Sequence, residues 1–156
     1  MKIPEPLFAV INPLMRMLLR SPLHALLSSS LMLVTYTGRK SGRTYSTPVR
    51  YLRTGDTIQA FTSQDTQWWR NLRGGVDVIL TIQGEDLRFH ATVIEHDVPK
   101  TREALLRYFM VFPQDAAYHD VKLDSDGCPV PADLESAAKH AIVVTATPSI
   151  TASRNP

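Results

Sequence analysis

At 156 residues, 44% of them hydrophobic and 21% charged, the chain is sized for one domain with its own core and is too short for two. A single cysteine, Cys128, excludes an internal disulfide and a cysteine-based zinc site. The net charge of +2 hides a polarity, because residues 1–55 hold eight basic residues against one acidic and the remainder nine against fourteen. That field favours an anionic ligand or membrane surface near the N-terminal third, and with no nucleic-acid-binding motif present, nucleic acid is not an expected partner.

The first thirty residues are apolar and punctuated by proline. Asn12-Pro13 and Ser21-Pro22 each read as an N-cap followed by proline at the first helical position. Short helices are therefore expected at about 4–11, 13–20 and 22–28. No apolar run reaches the ~18 residues that span a bilayer. Glu5, Asn12, Arg16 and Arg20 interrupt the segment, and no Ala-x-Ala site follows, which argues against a secretory signal. Residues 3–28 read either as a helical flap over one end of the core or as a peripheral contact at the inner face of a membrane. The expected location is cytoplasmic.

Leu31 to Thr37 and Tyr45 to Leu52 are alternating runs rich in Thr, Val and Tyr, separated by a polar segment with Gly38 and Gly42. They predict a β-hairpin with a basic tip. Glycines around Arg39-Lys40-Ser41 allow φ > 0, so that successive N–H groups can converge on an anion. Arg39, Lys40 and Arg43 add charge, and the Ser41 hydroxyl adds a donor suited to phosphate. The other reading of the same residues is an ordinary solvated turn. A nucleotide-triphosphate P-loop is excluded, since Arg39 and Val34 stand where its two glycines would precede the lysine.

Beyond Thr54-Gly55-Asp56, a third strand is expected at Thr57 to Ser63, then a helical turn around Trp68-Trp69-Arg70-Asn71-Leu72. Val76 to Gln83 and Leu87 to His96 predict a second hairpin, with Gly84-Glu85-Asp86 as its loop and Phe89, Ala91 and Val93 on the buried face. Leu105, Tyr108, Phe109 and Phe112 line one face of a helix over Pro99 to Phe112. A turn at Asp124 to Gly127, a helix over Pro131 to His140 and a last strand over Ala141 to Thr147 follow. Three segments are expected: 1–30 helical, 31–147 the folded domain, and 148–156 a frayed tail. The fold class is α+β, a small barrel of about six mainly antiparallel strands with N-terminal and peripheral helices.

No catalytic cluster stands out. His24, His90, His96, His119 and His140 are scattered, with no metal-ligand spacing, and Cys128 has no histidine motif beside it. No metal is expected and no catalytic acid or base is assigned. On a helix, adjacent residues point about 100° apart, so Trp68 and Trp69 are expected to divide between core and pocket wall.

Gly38-Arg-Lys-Ser-Gly-Arg43, Thr47-Pro48-Val49, Gly55-Asp56, Trp68-Trp-Arg-Asn-Leu72 and the late Gly127-x-Pro-x-Pro-x-Asp-Leu pattern together resemble the deazaflavin-dependent nitroreductase family. The resemblance implies a split β-barrel that binds coenzyme F420, an 8-hydroxy-5-deazaflavin with a phosphate-bearing acidic tail. It implies that Arg39, Lys40 and Ser41, with Gly42 and Arg43, hold the tail. Thr47, Pro48 and Val49 would line the ring, Ser63 would face it, and Trp68 and Asn71 would close the groove. Hydride transfer asks the protein mainly for binding, orientation and a dry pocket, which suits a chain without a catalytic cluster. The acceptor would be a planar small molecule such as a quinone or nitroaromatic, walled by Trp69, Tyr108, Phe109 and Tyr118. Those aromatics also read as ordinary core. FMN or FAD in place of F420 is the nearest variant. A non-catalytic barrel binding a lipid, fatty acid or haem is the alternative of a different class. A homodimer is expected by analogy with split barrels.

Overall fold

The computed structural model describes residues 30–149. The helices expected before residue 30, and with them the contact proposed for residues 3–28, lie outside the described residues.

Six antiparallel strands form a closed barrel in the order β1-β2-β3-β6-β5-β4. They are β1 (Leu31–Thr37), β2 (Thr44–Thr54), β3 (Thr57–Ser63), β4 (Val76–Ile82), β5 (Glu85–Ile94) and β6 (Ala141–Pro148). The first three form a meander and β4–β5 a hairpin. β6 then returns to lie between β3 and β5, and β4 closes the ring against β1. This is the α+β barrel that the alternating runs predict. The last strand extends one residue further than expected, since Pro148, assigned by sequence to the tail, pairs opposite Phe89.

The β4–β5 connection is tighter than expected. Ile82 pairs directly with Glu85, so the loop is Gln83-Gly84 alone and Glu85 and Asp86 already belong to β5. Both loop residues take positive φ, 50° and 80°. That is the two-residue turn whose twist matches the flanking strands, and glycine makes its second position inexpensive.

Two helices pack outside the barrel, α1 (Val98–Val111) and α2 (Pro131–Ala138). α1 is capped by the Asp97 carboxylate, which accepts the Lys100 N–H, and proline stands in its first turn. A 3-10 helix at Pro113–His119 fills what the sequence left as loop. Its start coincides with Pro113, whose fixed φ suits a first helical position.

Alternation puts Met32, Val34, Tyr36, Ile58, Leu80, Phe89 and Val144 inside the barrel. A second cluster forms outside, where Leu105, Tyr108 and Phe109 of α1 and Leu134 of α2 cover Leu52 and Phe61. The 3-10 turn Trp68–Leu72 plugs the barrel: Trp68, Trp69 and Leu72 all join the interior cluster. The expected division of the tryptophan pair is less sharp than a helical wheel implies, since both join the core and Trp69 also lines a recess. Both are buried, at 8% and 2% exposure, because the turn lies across the barrel end and is covered on more than one side. Among the described residues, no helix is long and apolar enough to cross a membrane.

Candidate functional site

The first hairpin forms as the sequence predicts, with Tyr36 opposite Tyr45 and Thr37 opposite Thr44 as its last pairs. Its tip is closed by hydrogen bonds from the Gly38 N–H to the Arg43 carbonyl (2.8 Å) and from the Gly42 N–H to the Gly38 carbonyl (3.0 Å). Gly42 takes φ 68°, as expected, but Gly38 does not have a positive φ. Gly38 is required for space instead: a Cβ there would sit 2.7 Å from the Tyr45 ring and 2.8 Å from Ser41 Oγ.

The convergent anion nest is correspondingly smaller than the glycine spacing implied. The Arg39 N–H donates to Asn71 Oδ1 (3.0 Å) and the Arg43 N–H to Ser41 Oγ (3.2 Å). Among the described residues, the N–H groups of Lys40 and Ser41 remain without such partners. Arg39, Lys40 and Arg43 are all exposed around them. Arg39 also donates from Nη1 to the Arg70 carbonyl (3.3 Å), so the tip is clipped to the turn that carries Trp68 and Asn71. Asn71 in turn donates to the Trp68 carbonyl (3.1 Å). These contacts bring Arg39, Lys40, Ser41, Trp68 and Asn71 together.

A seam runs on from the tip. β2 pairs with β1 from Thr44 onward, but its ladder with β3 holds only from Tyr51 to Thr54. Along Tyr45 to Arg50, β2 therefore has a strand partner on one side only among the described residues, and its other edge lies toward the end of β3. Thr47, Pro48 and Val49 lie on one bank, and Phe61 and Ser63 on the other. Strand edges carry unspent N–H and C=O groups, a ready surface for a planar polar ligand edge. Thr47 is buried, its hydroxyl 3.4 Å from that of Tyr36, while Pro48 and Val49 are half-buried. Tyr36 stacks on Tyr45 with centroids 5.9 Å apart and meets Trp68 at 6.5 Å, so the exposed Tyr45 ring is backed by two buried ones. The Tyr45 hydroxyl reaches Ser41 Oγ at 3.1 Å. Ser63 Oγ accepts the Asp65 N–H (3.3 Å), which leaves its own proton available.

The four aromatics expected to wall a substrate pocket are not one group. Trp69 belongs to the barrel plug; Tyr108 and Phe109 are core of the outer cluster, and Tyr118 is 55% exposed. Tyr108 nevertheless reaches the seam, stacking on Phe61 at 4.2 Å. Its hydroxyl donates to Asp115, which also pairs with Arg50 of β2 at 3.0 Å. Burial, and then that hydrogen bond, push the Tyr108 phenol above its ordinary range, so it stays protonated. Arg50 lies over the Phe112 ring at 5.0 Å. Sequence reasoning missed this Arg50–Asp115–Tyr108 network, because Asp115 sits in the unforeseen 3-10 helix.

A separate recess of about 100 Å³ opens on the other flank of the Trp68–Leu72 turn. Trp69, Arg70, Arg73, Glu95, His96 and Lys139 line it. Arg73 binds both Glu95 carboxylate oxygens, at 2.9 and 3.0 Å, and this holds Glu95 below the usual carboxylate range. Among the described residues, Trp69 Nε1 is buried with no hydrogen-bond partner, a deficit that typically costs about 1–3 kcal/mol.

The F420H(2)-dependent quinone reductase family matches residues 21–131. No curated protein matches the chain. Among solved structures, one described as a domain-swapped dimer is similar at 17% identity and a TM-score of 0.51, covering 90% of this chain and 99% of that one. The Atu2129 protein of Agrobacterium tumefaciens, described as of unknown function, is similar at 19% identity and a TM-score of 0.50, covering 84% and 57%. An F420 reductase is similar at 14% identity and a TM-score of 0.42, covering 81% and 92%. At these identities the first two speak for the fold alone.

Proposed function

We propose, from the premise that this chain belongs to the F420H(2)-dependent quinone reductase family, that it is an oxidoreductase which binds coenzyme F420 along the β2–β3 seam and reduces a planar, electron-poor acceptor. The observation that carries the reading is the one-sided stretch of β2, Tyr45 to Arg50, running from a cationic hairpin tip to an aromatic wall. A ligand with a flat polar-edged ring and an anionic tail has the same two-part chemistry.

The residues fit that ligand in kind. Arg39, Lys40 and Arg43 would hold the tail, helped by the Ser41 hydroxyl and the N–H groups of Lys40 and Ser41. The edge of Thr47, Pro48 and Val49 would meet the ring, with Trp68 and Asn71 at the tip end and Ser63 opposite. When bound, the reduced deazaflavin supplies a hydride. The protein's part is orientation and exclusion of water. Tyr45 would offer a flat face on the tip side, backed by the buried Tyr36 and Trp68, and Phe61, stacked on the buried Tyr108, would close the other end. The Ser63 hydroxyl is an uncharged donor suited to an acceptor's carbonyl oxygen. A quinone suits this slot, and a nitroaromatic of the same flatness is the second acceptor to try. We further propose a homodimer.

The test is a titration of the purified protein with coenzyme F420 beside FMN, FAD and haem, with Lys40→Ala as the control. Micromolar F420 binding weakened by the control, followed by quinone-dependent loss of the reduced coenzyme's absorbance, would support the proposal. Preference for another ring would replace the cofactor. Failure of all four to bind would remove the oxidoreductase reading.

A further inference from the structure

The β2–β3 ladder stops at Tyr51 opposite Ala60, so the next positions in register, Arg50 and Phe61, are the first at which the two strands no longer pair. Those two residues are the ones that the outer helices hold. Alternation puts Arg50 on the same side of β2 as Leu52, and Leu52 and Phe61 both pack in the cluster outside the barrel. Arg50 Nε pairs with Asp115 Oδ2 at 3.0 Å, and the same oxygen accepts the Tyr108 hydroxyl. Tyr108 in turn lies nearly parallel on the Phe61 ring, with centroids 4.2 Å apart and an interplanar angle of 19°. One carboxylate oxygen therefore completes a chain of contacts from β2 to β3, through Arg50, Asp115, Tyr108 and Phe61, at the point where the backbone bonds give out.

Past that point β2 stays bonded to β1, and β3 to β6, so each strand is firm by itself and only their separation is left to side chains. The members of the chain are themselves held in place. The Arg50 guanidinium lies 5.0 Å from the centre of the Phe112 ring, and its Nη1 donates to Ser30 Oγ at 3.4 Å. Tyr108 is 4% exposed, with the Phe109 and Phe112 rings 5.6 and 5.5 Å away. The Arg50 and Asp115 side chains are 31% and 23% exposed. A charge pair partly withdrawn from water is a poor source of stability, because desolvation offsets the attraction. What two directed contacts on one oxygen do is fix where their donors stand.

We infer that Asp115 is a positioning residue: the clasp it forms with Arg50, Tyr108 and Phe61 fixes the spacing of β2 and β3 where their ladder ends, and so sets the inner end of the seam, against which a flat ring would stop. The second half of this inference rests on the coenzyme reading above, and the first half does not. No member of the clasp belongs to the hairpin tip. It therefore acts on the ring part of a ligand and leaves the anionic tail to Arg39, Lys40 and Arg43.

The experiment compares the full chain with Asp115→Asn, Tyr108→Phe and the double variant. The first keeps the side-chain shape and removes its charge; the second keeps the ring stack and removes the hydroxyl, so both should fold. Amide hydrogen exchange without coenzyme is read at the β2–β3 ladder, residues 51–54 and 57–60, against the β4–β5 ladder. The expected result is exchange about five-fold or more faster in the β2–β3 ladder of each single variant, with β4–β5 unchanged. The double variant should be no faster than the faster single one, since both changes act through one hydrogen bond. Unchanged β2–β3 exchange, an equal rise in both ladders, or effects that multiply in the double variant would overturn the clasp. Intact F420 and its tail-less deazaflavin headgroup are then titrated. The clasp variants should weaken both by the same factor, about five-fold, whereas Lys40→Ala should weaken the intact coenzyme alone. Headgroup affinity left unchanged by the clasp variants would overturn the positioning role. If the parent chain binds neither ligand, the coenzyme reading fails together with the ring half of the inference, and the exchange result alone decides the clasp.

Discussion

The hairpin tip and the recess behind Trp69 are both basic, and they are built in opposite ways. The tip takes its cations from five consecutive residues, Arg39 to Arg43, all held out in solvent by a turn. The recess gathers cations that are 69 positions apart in the chain, from Arg70 to Lys139, and sets them around a tryptophan that is also part of the barrel core. A charged site made from one turn can change without disturbing the fold. One made from the core cannot, and the difference can be measured.

The largest effect should come from Trp69→Ala. Removing a side chain that is 2% exposed and plugs the barrel should cost about 3–5 kcal/mol in a denaturant midpoint measurement. A loss under about 1 kcal/mol would mean that the recess is peripheral and the contrast false.

Lys40→Ala should do the reverse. Stability should stay within about 0.5 kcal/mol, while F420 affinity falls about tenfold. A large stability loss would show that the tip is structural.

Asn71→Ala tests the joint between the two regions. It removes the acceptor of the Arg39 N–H and the donor to the Trp68 carbonyl, and should cost about 1 kcal/mol while also weakening coenzyme binding. An effect on only one of the two readouts would show the tip and the turn to be uncoupled.

The smallest effect is electrostatic. Hydrogen bonding to Arg73 holds the folded-state pKa of Glu95 below its ordinary 4.5, so the unfolded chain binds that proton more readily. The pair's stabilisation is thus complete above about pH 4.5 and is lost as the pH falls through the lowered folded value. Since the Arg73 side chain is 43% exposed, solvent screens the pair and its contribution should be the smallest of those considered. Glu95→Gln should be less stable than the parent at pH 6 and converge on it toward pH 3. A pH-independent difference would show that the pair does not act through charge.

The same contrast governs what could be read before the fold was known. β1 and β3 were legible to the residue, since period-two alternation is a local property. The tip was legible as a basic turn, and the need for glycine at 38 was legible too, although the reason proved to be the Tyr45 ring and not the backbone angle. The Gln83-Gly84 turn was read one residue too late because nothing in Gln83 announces a positive φ. The tryptophan pair was legible only in part, because a helical wheel does not anticipate a turn covered on both sides, where both rings join the core and Trp69 still lines a recess. Neither the recess nor the Arg50–Asp115–Tyr108 network was legible at all. Glu95, Lys139 and Asp115 are ordinary charged residues in ordinary surroundings, and their partners are set by how β6 and α1 return to the barrel.

The return of β6 also fixes the order in which this domain can be finished. β3 and β5 are both made before α1 begins, yet each has an edge that only β6 covers. While a ribosome is still delivering residues 95–140, the nascent chain holds two strands with open, hydrogen-bond-hungry margins and no means of closing them. Pairings this distant are slow to form, and the interval is when a neighbouring chain can supply the missing strand. The last strand of the barrel is therefore also its safeguard during synthesis.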